Sequence, residues 1–391
     1  MALPFHKLLQ TLSSGSSIGS AAVAILASYG TDAHIYLPGI GALNGYTLGN
    51  YLESTGNTAA TVDNPVGLVL DAGQAVGAEL VGNNEFDDGL TGWTVEPTAT
   101  DVSVSGGILT ITSGPSANVL VSRTISTVVG RTYMVRRIKA SGNFLGVYLG
   151  SAAGSSVDGG AGFVVSDTEY GFTFVAARTT TYCSLVTGAA VRTVGIDSVS
   201  VKEVPGIHAL QGTTANKPIL RKPSNNYYWE FDGTNDSLAS TSAPFQMADD
   251  HCVVMGVSRT AVATEKHPFH VGATASVNPL AARIAFAADG TVNAHWRDDS
   301  TTLFTAASGA TYTAGVPLVV SARKTGNNKV CRVNGVAGSV NSSAVGATAT
   351  LDKIVFGNHN AGYFDGLEYA TINVKGTVSD DNLLILERWV G

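Results

Sequence analysis

Charge is what this chain of 391 residues has least of: Asp, Glu, Lys and Arg make up 14% of it, and 23 basic residues face 30 acidic ones, for a formal net charge of −7. The only basic cluster is Val135-Arg136-Arg137-Ile138-Lys139. A groove that tracks phosphates needs a basic stripe, so no nucleic-acid partner is expected. Cysteine is scarce as well. Cys183, Cys252 and Cys331 stand far apart, an odd count without C-x-x-C spacing, which supports neither a zinc site nor a disulfide framework. Reduced, buried thiols are expected, with a Cys252–Cys331 bridge as the alternative, since both fall in expected strands of one module. The short apolar run Ser17 to Ser28 (SIGSAAVAILAS) is far below the ~20 residues of a membrane span. It is read as an ordered part of the mature chain, assembled inside a cell without secretion. No Ser/His/Asp triad, phosphate loop or dinucleotide fingerprint has supporting context.

What is abundant is glycine, with 45 residues, together with Thr, Ser, Ala and Val. That composition describes short strands and tight turns, and the length exceeds one ordinary core, so the expected fold is all-β with tandem antiparallel sandwiches. Residues 1–75 hold an expected helix from Leu3 to Leu12, a Gly/Ser linker from Ser13 to Ser20 and a second apolar, helix-like stretch from Ala21 to Ser28. Irregular pieces follow with too few apolar residues for a core, so 1–75 is read as an attachment and oligomerisation segment ordered by partner chains. Residues 76–204 contain eight short alternating segments separated by Gly, Ser and Asn, the pattern of a sandwich. In residues 205–391, Tyr227, Trp229 and Phe231 alternate with Glu230 and Asp232, the pattern of a half-buried strand. Ala288-Asp289-Gly290-Thr291 and Gly326-Asn327-Asn328 are hairpin chemistry. Ser379-Asp380-Asp381 is expected to cap a terminal helix, Asn382 to Val390, with Leu383, Leu386 and Val390 on one side.

Three resemblances attach to these blocks. Tyr228-x-x-Phe231-Asp232-Gly233-x-x-Asp236-x-Leu238 resembles the opening strand of laminin-G-like, concanavalin-type lectin sandwiches of bacterial and phage surface proteins. A Phe364-Asp365-Gly366 strand start followed by a terminal helix resembles the usual ending of such domains, so the likeness covers about half the chain. Asn83-x-x-Phe86-x-x-Gly89-x-x-Gly92-Trp93 and the closing Ile196 to Val204 (IDSVSVKEV) resemble CenC-type carbohydrate-binding jelly rolls. Pro38-Gly39, Leu52, Ser54, Gly56, Thr58 and Pro65 to Asp71 are similar to a segment that precedes lectin-like domains in tailed-phage virion proteins.

Candidate chemistry is sparse. Concanavalin-type glycoside hydrolases carry acid and nucleophile as E-x-D-x-E or E-x-D-x-x-E on one strand, and Glu230 and Asp232 fit the first two positions. The next carboxylate, Asp236, lies beyond the motif in the turn. Asp232 and Asp236 are therefore read as holding that turn by side-chain-to-backbone hydrogen bonds, and no catalytic residue is assigned. His267-Pro268-Phe269-His270 and Asp249-Asp250-His251 look like metal ligands, but Pro268 prevents an aligning helix and a loop is expected. Asn84, Asp87 and Asp88, near Asn83, offer hard oxygen ligands for a structural Ca²⁺, the only cofactor considered; an acidic surface turn is the alternative. For sugar binding an exposed ring with polar flanks is needed. Trp296, beside Arg297 and Asp298, is the chosen surface ring, with Tyr148, Tyr170 and Tyr363; Trp93 and Trp229 are expected in the core.

Taken with the resemblances, these features imply a non-enzymatic virion protein of a tailed bacteriophage, such as a capsid decoration, head fibre, collar or tail-fibre component. Its expected partners are other virion proteins through residues 1–75, copies of itself in a homo-oligomer, with a trimer favoured, and host-surface glycans. Assembly in the host cytoplasm and exposure on the particle are implied. The alternatives are a glycan hydrolase using Glu230 and Asp232, and a secreted adhesin.

Overall fold

The computed structural model describes residues 17–391 except 39, 44–45, 52–59, 74–75, 97–100, 115–118, 143–144, 165–168, 188–189, 224–226, 262–263, 274–281, 298–301, 347–349 and 359–361. Its strands pair antiparallel throughout, and the chain divides into two compact units. The expected all-β architecture of sandwiches with a short terminal helix is what the structure has.

One unit takes in the described residues from 76 to 205. It has two five-stranded sheets. The first runs, in spatial order, Gly159–Val164, Leu145–Gly150, Thr180–Thr187, Leu120–Ser126 and Thr94–Val95; the second, Glu169–Val175, Thr132–Ser141, Arg192–Glu203, Ile108–Ser113 and Asp101–Ser105. Alternation decides which side chains go inward: in Ile108–Ser113 every second residue is buried, and Leu109 and Ile111 join Val121, Val147, Leu185 and Val199 in one core. Trp93 belongs to that core, as expected.

The other unit is discontinuous and takes in the described residues of 17–51, 60–73 and 206–391. Its eight-stranded sheet centres on Asp365–Lys375, flanked by His251–Arg259 and Tyr228–Asp232. Its ten-stranded sheet carries Lys353–Phe356, Lys266–Gly272, Ala282–Phe286, Thr291–Arg297 and Leu303–Thr311 in that spatial order. Trp229, Phe231, Met255, Phe269, Trp296 and Phe356 fill the space between the two sheets. On the far side of the eight-stranded sheet, helix Ser17–Tyr29 contributes Ala22 and Leu26, and helix Asp380–Val390 contributes Leu383, Leu386 and Val390, to a second core with Cys252, Val254 and Ile372. Ser379 Oγ accepts from Asn382 N at 3.2 Å, the expected cap.

The described residues of 1–75 are built into this unit. Ala33–Tyr36 pairs with Asp365–Lys375 over four residues, and Leu68–Val69 pairs with Ala209–Leu210. Trp229 Nε1 donates to Asn50 Oδ1, and Tyr36 OH donates to the Ile207 carbonyl at 2.6 Å. Sequence counted too few apolar residues for an independent core; the pieces bury what they have against residues 206–391 of the same chain. The expected helix from Leu3 to Leu12 lies outside the described residues, and the helix expected from Ala21 begins at Ser17.

Asp71 fixes the point where the chain leaves this unit and re-enters it. Its wholly buried carboxylate accepts from Ile35 N (2.9 Å), Gly73 N (2.9 Å) and Ile207 N (3.0 Å), and pairs with His34 Nδ1 at 2.5 Å. Gly206 has φ +117° and lies so close that a Cβ there would stand 2.4 Å from Asp71 Oδ2, which leaves room for glycine only.

All three cysteines are buried and unbridged, with thiols pushed up to about 12 by burial. The Cys252–Cys331 alternative is overturned. Cys252 packs on the helix side of its sheet and Cys331 in the space between sheets, so their side chains leave opposite faces.

Candidate functional site

The outer face of the ten-stranded sheet carries a polar row. In Thr291–Arg297, Val292, Ala294 and Trp296 point into the core, so Asn293, His295 and Arg297 point the other way. The same parity turns Arg283 outward between Ala282 and Ile284, and His270 between Phe269 and Val271. Register then sets these residues side by side: His270 opposite Arg283, Arg283 opposite His295, and His295 opposite Thr305.

His295 Nδ1 lies 2.9 Å from Thr305 Oγ1. His267 Nε2 lies 2.9 Å from Glu265 Oε1, and Arg283 Nη2 lies 3.8 Å from that same oxygen. Burial, reinforced by the Arg283 charge, lowers the His295 imidazole to about 4. Burial lowers His270 to about 3 and holds His267 below its ordinary value. The hydrogen bond with His267 is the main cause that draws Glu265 down to about 2. At neutral pH the row therefore presents uncharged imidazoles, two guanidinium groups and one carboxylate. His295 is 5% exposed, and neither its Nε2 nor Arg297 Nε has a hydrogen-bond partner among the described residues.

Sequence reading did not single out Arg283, His295 or Glu265. The signal for the first two was available in the alternation, since each stands between two apolar residues of a short strand. His267 and His270, expected on a loop, are on strand Lys266–Gly272; a register shift between Lys266 and Phe269 absorbs Pro268, whose carbonyl accepts from Gly357 N at 2.8 Å.

Trp296, expected at the surface, is 1% exposed. Its Nε1 donates to His251 Nε2 at 2.8 Å, while His251 Nδ1 donates to the Asp249 carbonyl at 3.0 Å and its ring stacks on Phe245 at 3.9 Å. The polar neighbour Arg297 misled because adjacent strand residues face opposite ways. Asp298 lies outside the described residues. Tyr363 is half-buried just before Asp365–Lys375. Tyr148 is half-buried opposite Ser184, and Tyr170 pairs with Arg137 through its backbone; both belong to the unit of residues 76–205. The expected rings are thus not gathered within one unit.

At the proposed Ca²⁺ turn it is Asn83 that organises the backbone, accepting from Asp88 N at 3.1 Å and donating to the Gly89 carbonyl at 2.9 Å. Asn84 accepts through its carbonyl from Val199 N at 3.0 Å, and Asp87 and Asp88 are exposed. Among the described residues no group of three or more His, Cys, Asp or Glu is placed to hold a metal ion. In the signature turn, Asp232 Oδ1 accepts from Thr234 N (2.8 Å) and Asn235 N (3.2 Å), and Asp236 Oδ2 accepts from Asp232 N (2.9 Å). Burial raises Asp236 to about 6. Glu230 is bound to Arg221 Nε at 2.6 Å. Asp232 and Asp236 hold the turn by side-chain-to-backbone bonds, as expected, and Glu230 is taken up in an ion pair that the sequence did not disclose.

No family model matches the chain, and no curated protein does. Among solved structures it is similar to the CBM40 module of the Ruminococcus gnavus IT-sialidase bound to α2,3-sialyllactose, at 16% identity and a TM-score of 0.33, over 36% of this chain and 83% of that one. It is similar also to the botulinum neurotoxin serotype D binding domain (11% identity, TM-score 0.34, 46% of this chain and 48% of that one). A third is the heptameric SAP-like pentraxin from Limulus polyphemus, with 11% identity, a TM-score of 0.32, and coverage of 40% of this chain and 78% of that one.

Proposed function

We propose that the chain is a non-enzymatic glycan-binding protein, displayed as a structural component of a tailed-phage particle. The observation that carries the glycan-binding half is the polar row on the outer face of the ten-stranded sheet. Neutral imidazoles can each donate and accept, and guanidinium groups donate in a fixed fork, which suits the mixed hydroxyls of a sugar. Placing them on paired strands holds their spacing before any ligand arrives.

The particle half rests on the resemblance of residues 38–71 to a segment of tailed-phage virion proteins. Residues 1–75 would then present a surface to other virion proteins or to copies of the chain in a trimer. Support for such a surface is the helix Ser17–Tyr29, on which Val23, Ala24 and Ala27 are exposed.

The full chain applied to an array of bacterial surface glycans tests the first half. Retention of a defined subset at millimolar ligand or below is expected, and retention of none would leave only scaffolding. Antibody labelling of intact particles tests the second, with decoration at a head, neck or tail position expected and absence from particles as the contrary result.

A further inference from the structure

We propose that the sheet face centred on His295 and Arg297 is a subsite for the carboxylate of an acidic sugar, with His295 Nε2 and the Arg297 guanidinium as its donors. This deepens the glycan-binding reading and rests on it.

The case starts from two nitrogens, His295 Nε2 and Arg297 Nε, that have no hydrogen-bond partner among the described residues. His295 is nine-tenths buried and bonded on one side only, to Thr305. When the Thr305 hydroxyl donates to Nδ1, the ring hydrogen stands on Nε2, and among the described residues that nitrogen has no partner. Arg297 lies two residues on, on the same face of the same strand, with its Nε equally unused among those residues. A buried donor left unmade carries its desolvation cost uncompensated, so its retention in a well-packed sheet points to a ligand that completes it.

Charge narrows the ligand. Arg297 lies near enough to Arg283 for its charge to act there, and the carboxylate paired on this face, Glu265, is already engaged with His267 and Arg283. Among the described residues, Arg283, Arg297 and Lys353, whose charge acts on His270, face the single carboxylate of Glu265, so positive charge is in surplus. A carboxylate reduces that surplus and accepts two N–H bonds in the fork geometry of an arginine. A neutral sugar would leave the surplus unmatched.

The test uses the full chain and three probes in titration calorimetry: a uronic-acid-containing oligosaccharide, the same oligosaccharide with its carboxyl reduced to an alcohol, and inorganic phosphate. The acidic form should bind about tenfold or more tightly than the reduced form, the equivalent of one charge-assisted pair. Arg297→Gln should abolish that preference, weakening the acidic form about tenfold more than the reduced form. Thr305→Val, which frees the imidazole to change tautomer, should shrink the preference several-fold. An unchanged thermal midpoint shows that each variant folds. Equal binding of both oligosaccharides, a preference indifferent to Arg297→Gln, or phosphate competing as well as the acidic sugar would each overturn the carboxylate subsite and leave glycan binding standing. Failure of both oligosaccharides to bind would instead remove the glycan-binding reading itself.

Discussion

Asp71 accepts a hydrogen bond from the backbone N–H of Ile207 at 3.0 Å, across 136 residues of sequence. With Ile35, Gly73 and His34 converging on the same carboxylate, one side chain joins the front strands to the segment on which the chain re-enters their sandwich. Asp71→Asn replaces one acceptor oxygen by a donor facing N–H groups. A loss of about 2–4 kcal/mol is expected in the unfolding transition of the sandwich formed by residues 206–391. Urea unfolding followed by tryptophan fluorescence reads it, and an unmoved midpoint would show that the front strands are dispensable to that sandwich.

His251 makes the same unit acid-sensitive. Burial lowers its imidazole to about 3, whereas in an unfolded chain it titrates near ~6.5. Between those values the unfolded state holds the extra proton, so stability rises with pH. The contribution is complete above about 6.5 and drains away as pH falls toward 3. His270 and His295, also lowered, act in the same direction. Chemical denaturation at intervals from pH 7 to pH 4 should show a falling midpoint, and His251→Gln a shallower slope; a flat profile would contradict the assignment of neutral buried rings.

Glu368 works with the opposite sign. It is wholly buried, burial raises its carboxyl to about 8, and its Oε1 accepts from Thr371 Oγ1 at 2.5 Å. The folded state keeps a proton that the unfolded state releases near ~4.3. Stability from this group is therefore complete below about 4.3 and is lost as pH rises toward 8. Glu368→Gln mimics the protonated form, so its midpoint relative to the parent should climb with pH and exceed it by pH 9. A constant difference between the two across that range would show that the carboxyl is not protonated in the fold.

The signature turn separates structure from catalysis. Asp232→Ala removes the acceptor of two backbone N–H groups and should cost about 1–2 kcal/mol. Asp232→Asn keeps an acceptor oxygen and should cost less. Glu230→Gln breaks an exposed ion pair with Arg221 and should change stability by under about 1 kcal/mol. Reducing-sugar release from bacterial polysaccharide is expected to be absent with or without Glu230; release abolished by Glu230→Gln would establish a hydrolase.

Much of the fold was legible because strand alternation is local. Tyr228–Asp232 buries Trp229 and Phe231 and turns at Gly233 with φ +75°, as its spacing implied. What was not legible depended on pairing at long range. Nothing local in Ala33–Tyr36 says that it lies against Thr371 to Val374, so the front segment read as lacking a core of its own. The candidate site was the least legible part. The polar neighbours of Trp296 in sequence suggest an exposed ring, whereas parity sends it inward and turns His295 and Arg297 to the opposite face.

The most direct test of the account follows the imidazole signals of the intact chain by NMR during titration with a glycan retained on the array. Movement of the His295 resonances is expected, with those of His251, sealed beneath Trp296 between the sheets, unchanged. Saturating binding that leaves His295 unmoved would place the ligand elsewhere and contradict the assignment of the polar row as the glycan-binding face.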